Sequence, residues 1–278
     1  MVLAEMNTPK GVDISELITN ARRIKGRVDA VIVPDMADGV MRMSALGGGV
    51  LMQQQGIEAV IHVCPRDKNR IALQGELLSA HVLGVQNLVV APGEDMSQGD
   101  HIDAKVVEDL DELRLLGAIK SLEDGSDLAG IELTGSPSFT IGATLAPMAD
   151  EKAEEAELEK AQKKVDAGAQ YLICPPIFDL DVLSAFLQKA KSLGVPVLPT
   201  VFLVKSVGMA RYMSMHLPGY HLSEDLIKRI RLGTDRVAEC TKIAGEQVAA
   251  IKGLAQGIQI VTLGWEYRLP AILDHAGL

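Results

Sequence analysis

Carboxylates and an imidazole recur in this chain beside short apolar runs, and these are the side chains from which general acid–base sites are built. Glu5 stands among Leu3, Ala4 and Met6. A second run ends in Pro34-Asp35. A third carries His62 and passes into Pro65-Arg66-Asp67. A fourth ends in Gly93-Glu94-Asp95, and a sixth runs into Pro175-Pro176, followed by Phe178-Asp179. If the runs are parallel strands, these residues gather at one rim. Each has a plainer reading: Glu5 as a solvated residue at a frayed strand, His62 as a hydrogen-bonded core histidine, Lys163-Lys164 as a solvated helix face. Gly47-Gly48-Gly49 is not a phosphate loop, because no Lys-Ser/Thr follows and the preceding stretch looks helical. No G-x-G-x-x-G follows a strand either.

The elements that would position these residues alternate along the chain. Apolar runs at 2–7, 28–35, 59–64, 87–93, 140–146, 171–176, 196–202 and 258–264 read as eight strands. Most are continuously apolar, as strands buried on both faces are. Helices are expected over 13–25, 67–83, 150–167, 179–193 and 224–254. Asp13 and Asp67 stand where capping residues belong, Ile71, Leu77 and Leu78 keep helical spacing, and Gly168 and Gly194 are natural stops. Residues 123–138, rich in Gly, Ser and Asp, read as an extended connection. Strand–helix alternation repeated eight times predicts an α/β fold, a parallel sheet closed into a single (β/α)8 barrel over residues 1–278; an open doubly wound sheet is the competing fold. A site in such a barrel lies at the C-terminal ends of the strands.

Composition narrows the function. With 47% hydrophobic residues and only 3% aromatics, the core must be aliphatic. A net charge of −10 argues against nucleic-acid or anionic-membrane binding. Cys64, Cys174 and Cys240 are too few and scattered for a disulfide framework or a zinc site. Neither a signal segment nor an apolar run of about 20 residues is present, so a soluble, cytoplasmic protein is expected.

The order and spacing of several short motifs resemble the methylenetetrahydrofolate reductases, especially the short bacterial and archaeal branch without a regulatory domain. The motifs are Ala4-Glu5-Met6 with Pro9-Lys10-Gly11, Val28-Asp29-Ala30-Val31, Arg42-Met43-Ser44 and Arg66-Asp67-Lys68-Asn69-Arg70. They continue with Gly99-Asp100-His101, Lys164-Val165-Asp166-Ala167-Gly168-Ala169 before Phe178-Asp179, Leu217-Pro218-Gly219 and Leu263-Gly264-Trp265-Glu266. The likeness covers nearly the whole length. It implies a TIM barrel that holds FAD at its strand ends and reduces 5,10-methylenetetrahydrofolate to 5-methyltetrahydrofolate.

By the same resemblance Glu5 falls on the catalytic glutamate, the acid that opens the imidazolidine ring at N10. His62, Glu94, Thr144, Ala146, Glu157, Lys160, Lys163 and Lys164 fall on flavin-contacting positions, and Glu94, Pro175 and Phe178 on substrate-contacting ones. The electron donor would be NAD(P)H or a ferredoxin or iron–sulfur partner subunit, and the protein a homo-oligomer or part of a hetero-complex. Three departures stand out. Cys174-Pro175 replaces a Thr-Gln pair whose amide binds the pterin, Pro34-Asp35 replaces Thr-Asp, and Thr8-Pro9-Lys10 replaces Pro-Pro-Arg. These leave open a flavin-binding subunit of a larger electron-transfer complex, or a folate- or corrinoid-dependent methyltransferase on the same barrel.

Overall fold

The computed structural model describes residues 1–278. Eight strands, β1 (Val2–Glu5), β2 (Ala30–Val33), β3 (Ala59–Val63), β4 (Asn87–Val90), β5 (Thr140–Thr144), β6 (Tyr171–Cys174), β7 (Val197–Phe202) and β8 (Ile258–Val261), pair in sequence order, all parallel, and close into a barrel. Closure is made by β1 on β8, with Val2 opposite Ile258, Leu3 opposite Gln259 and Ala4 opposite Ile260. The expected single (β/α)8 barrel is therefore the observed fold, and the open sheet is excluded. Six of the strands stop two or three residues short of their apolar runs, β3 stops one short, and β7 ends with its run. The residues beyond, such as Pro34-Asp35 and Gly93-Glu94, are rim loop.

Side-chain alternation divides the apolar residues into two bodies. Leu3, Ala30, Ile32, Val60, Val89, Tyr171, Ile173 and Leu198 fill the barrel. Their sequence neighbours Ala4, Val31, Ile61, Leu88 and Leu172 point outward into a much larger core beneath the helices. Gly142 makes room inside: a Cβ there would sit 2.3 Å from the Tyr171 ring, whose hydroxyl donates to the Leu88 carbonyl at 3.1 Å.

The helices are α1 (Ser15–Ile24), α2 (Ala45–Gln54), α3 (Arg70–Val82), α4 (Glu112–Glu123), α5 (Glu151–Asp166), α6 (Leu180–Ala190), α7 (Val207–His216), α8 (Glu224–Leu232), α9 (Arg236–Ile251) and α10 (Leu269–His275). None is long and apolar enough to cross a membrane. Asp150 and Asp179 cap α5 and α6 by accepting backbone N–H bonds. Helix α3 starts later than the sequence suggests, since the cap is Asn69 and not Asp67, and Ile71 faces solvent. The stretch read as one helix over 224–254 is two. Gly233 ends α8, and Asp235 restarts the chain by accepting from Val237 and Ala238 N–H, both at 3.0 Å. Helices α2, α4, α7 and α10 are not among the five helices expected from the sequence.

Candidate active site

Glu5 follows Leu3 in phase, so its side chain enters the barrel at the C-terminal mouth. Its Oε2 accepts a 2.7 Å hydrogen bond from Nε2 of Gln259 on the adjoining β8. The amide oxygen of Gln259 in turn accepts from the Thr200 hydroxyl on β7 at 3.3 Å. Burial pushes the Glu5 pKa up to about 8, the nearby charges of Glu94, Asp38 and Glu266 push the same way, and the Gln259 bond opposes them. Desolvation and like charge both disfavour the carboxylate, so Glu5 carries a proton at neutral pH.

The loops that bring the other acids are tightly drawn. Asp38 sits at φ 59° and its neighbour Met36 at φ 47°, and Leu263, just past β8, is at φ 53°. These three are the only non-glycine residues with positive φ, and all lie at the mouth, where backbone strain commonly accompanies function. Gly39 packs on Gly99 so closely that a Cβ on Gly99 would lie 1.9 Å from the Gly39 carbonyl oxygen. Asp100 fastens the same crossing, accepting from Met41 N–H at 3.0 Å and pairing with Lys10 at 2.7 Å. Lys205, just after β7, donates to the Leu263 carbonyl, lies 5.1 Å from the Trp265 ring centroid, and has its pKa lowered by burial.

His62 follows Val60 into the barrel. Burial drives its pKa down to about 4 against the charge of Asp35, and its Nε2 is buried with no partner. It is a neutral imidazole with an unused polar atom, not a hydrogen-bonded core histidine. Glu94 is half exposed, and Arg66 donates to its backbone carbonyl at 2.7 Å and approaches its carboxylate at 3.6 Å. Burial raises the Glu94 pKa, with Arg66 opposing.

The β5–α5 residues form a second group. Thr144 follows Gly142 in phase, and the next N–H in that phase, that of Ala146, donates to Glu157 at 2.9 Å. Lys160 is exposed and stands 3.6 Å from Glu157; Lys163 is exposed. Lys164 is only 7% exposed and donates to Glu112 at 2.8 Å and to the Thr144 carbonyl at 2.7 Å. Two of its three N–H donors are thus occupied, and any phosphate would have to compete with Glu112 for it.

Pro175 and Phe178 are apart from both groups. They line a cavity of about 350 Å³ together with Met148, Asp150, Lys189 and His221. Pro175 takes the inward phase of Ile173, whereas Cys174 is buried outward in the helix-covered core. Glu5 and Glu94 thus meet electrostatically at the mouth, with His62 on the neighbouring inward face of β3. Gln259, Thr200, Asp38 and Lys205 were not singled out from the sequence. Gln259 had left a signal, as the one polar residue in Ile258–Val261; so had Asp38, in the turn-prone Ala37-Asp38-Gly39.

A family model described as methylenetetrahydrofolate reductase matches residues 1–277. A Caenorhabditis elegans protein described as a probable methylenetetrahydrofolate reductase (NADPH) is 22% identical over 259 residues, which are 88% of this chain. The chain spans about a third of that relative's length, 36%. Among solved structures, an uncharacterized Clostridium thermocellum protein described as binding two copies of 5-methyl-5,6,7,8-tetrahydrofolic acid superposes with TM-score 0.63 at 14% identity, covering 99% of this chain and 93% of that one. The EDTA monooxygenase of Chelativorans sp. BNC1 superposes with TM-score 0.55 at 10% identity, covering 99% and 94%. At these identities the structural likeness speaks for the fold alone.

Proposed function

From the premise that the chain belongs to the methylenetetrahydrofolate reductase family, we propose that it reduces 5,10-methylenetetrahydrofolate to 5-methyltetrahydrofolate with a bound flavin, FAD, and with Glu5 as general acid. The observation that carries this reading is the Glu5 carboxyl: in phase with the barrel interior, pKa raised to about 8, and held on one oxygen only. Opening the imidazolidine ring requires a proton at N10 as the bond from N10 to the methylene carbon breaks, which leaves an iminium at N5. A carboxyl that stays protonated through neutral pH supplies that proton, where an ordinary exposed glutamate would be ionised.

The residues at the mouth fit a flavin ring. The buried, unpartnered Nε2 of neutral His62 needs a polar partner that the protein does not provide. Exposed Lys160 and Lys163 on α5 offer cations to phosphates beyond it, and Lys164 could join them only by leaving Glu112. When bound and reduced, the flavin supplies the hydride to the one-carbon unit. Glu94, Asp38 and Glu266 make the mouth acidic, which favours a cationic iminium electrostatically. Pro175 offers neither an N–H nor a polar side chain where the family pattern has an amide, so the pterin must be oriented by other groups.

Rapid mixing of the two half-reactions tests the assignment. Glu5→Gln keeps the shape and loses the proton. Reduction of bound flavin by the donor should be unchanged, and reoxidation by methylenetetrahydrofolate should slow by at least about 10²-fold. Reoxidation at the wild-type rate would remove Glu5 from the chemistry. Failure of the protein to retain FAD on gel filtration after reconstitution would remove the cofactor.

A further inference from the structure

Which of the two Glu5 oxygens carries the proton is fixed by neighbours the sequence reading passed over. An amide can present either its N–H or its oxygen to a carboxyl, and these choices have opposite consequences. The Thr200 hydroxyl lies 3.3 Å from Gln259 Oε1. In the structure Oε1 is turned to the Thr200 hydroxyl, which donates to it, and Nε2 is turned to Glu5. Nε2 donates to Glu5 Oε2 at 2.7 Å, and an oxygen that accepts from an N–H is a poor place for a proton. The proton is left on Oε1, for which the structure gives no protein partner.

We propose that Thr200 and Gln259 are positioning residues that direct the acidic proton of Glu5 onto Oε1, the oxygen free to meet substrate. The two act in series across three adjacent strands, β7, β8 and β1, whose register sets Thr200 opposite Gln259 and Gln259 opposite Leu3, the inward residue before Glu5. The proposal rests on the reading of Glu5 as the acid. The charged groups facing Glu5 from other elements are Glu94 after β4, Asp38 after β2 and Glu266 after β8, and all three favour its protonated form. The Gln259 N–H opposes them by favouring the ionised form, so removing it must move the titration upward.

The test is the titration of Glu5 itself, read in the whole protein by carboxyl infrared difference spectra or by carbon-13 NMR of labelled glutamate, with Glu5→Gln identifying the band. Wild type should titrate near 8. Gln259→Leu should shift the midpoint up by about one unit, the scale of one charge-assisted hydrogen bond. Thr200→Val frees the amide to turn its oxygen towards Glu5, so a smaller upward shift is expected. Gln259→His, which retains an N–H donor, should restore most of the wild-type value. In the reoxidation half-reaction the alkaline limb of the pH profile should move with the titration, and the rate below that limb should fall about tenfold in Thr200→Val, where the proton goes to the wrong oxygen.

An unmoved titration in Gln259→Leu, in a variant whose melting curve shows it folded, would overturn the positioning role and leave Glu5 as the acid. An unaffected Glu5→Gln reoxidation would overturn the acid, whatever Gln259 does.

Discussion

A glutamate that keeps its proton until about pH 8 bears on stability as well as on the proposed catalysis. In the unfolded chain its pKa is the ordinary 4.5, so between 4.5 and about 8 the folded state holds a proton that the unfolded state has released. Stability from this group is complete below the lower value and is lost as pH rises through the upper one. Glu5→Gln cannot ionise, and it should therefore melt higher than wild type at pH 8–9 by more than it does at pH 5. A melting difference that stays flat or narrows as pH rises would contradict the raised pKa. The position of Glu5 was legible in the sequence as a carboxyl inside an apolar run, but its proton was not. The shift comes first from burial in the closed barrel and then from Glu94, Asp38 and Glu266, which are separated from it by 89, 33 and 261 positions along the chain, and no local pattern announces that they converge.

Among the elements, strands were legible because doubly buried parallel strands are written as apolar runs. Their ends were overread, because rim residues such as Pro34 and Pro92 continue the apolar composition after pairing stops. Helices α5 and α6 were legible through their glycine stops, and α5 also through its charge. Helix α7 was not, since Val207–His216 carries little amphipathic pattern, and the break between α8 and α9 was missed although glycine followed by aspartate marks it. The loops that shape the mouth depend on close approach, which sequence does not display. The crossing of Gly39 over Gly99 is the clearest case, and it carries a prediction. Gly99→Ala places a methyl group against backbone, which cannot swing aside as a side chain could. The loop bearing Asp38 must move, at about 1–3 kcal/mol of overpacking. Chemical denaturation should show that loss. Glu5, with Asp38 withdrawn, should titrate at lower pH than in wild type. An unchanged titration would mean that Asp38 had kept its place.

For the whole molecule, the sign of the surface matters. The net charge is −10, and Glu94, Asp38 and Glu266 stand at the mouth. Folates carry glutamyl carboxylates, so the proposed substrate approaches against repulsion. Raising ionic strength from about 10 to about 150 mM shortens the screening length from roughly 30 Å to roughly 8 Å. The second-order rate of methylenetetrahydrofolate association should therefore rise with salt, with the rate of the bound step unchanged. A rate that falls with salt would require a local positive patch outweighing these acids.

The hydrogen bond from Gln259 to Glu5 joins residues 254 apart in sequence. During synthesis β1 is the first of the eight barrel strands to leave the ribosome, and β8, its neighbour across the closure, is the last of the eight. Until β8 arrives, Glu5 sits on an open edge in contact with water, where a carboxyl has its ordinary acidity. A partly made chain that has built most of the sheet still holds Glu5 as an ordinary carboxylate at neutral pH. Acquisition of the shifted proton is then a late event in the maturation of the nascent polypeptide, coincident with ring closure. The protonation state of a single carboxyl would report, in a refolding or translation experiment, the moment at which the barrel becomes a barrel.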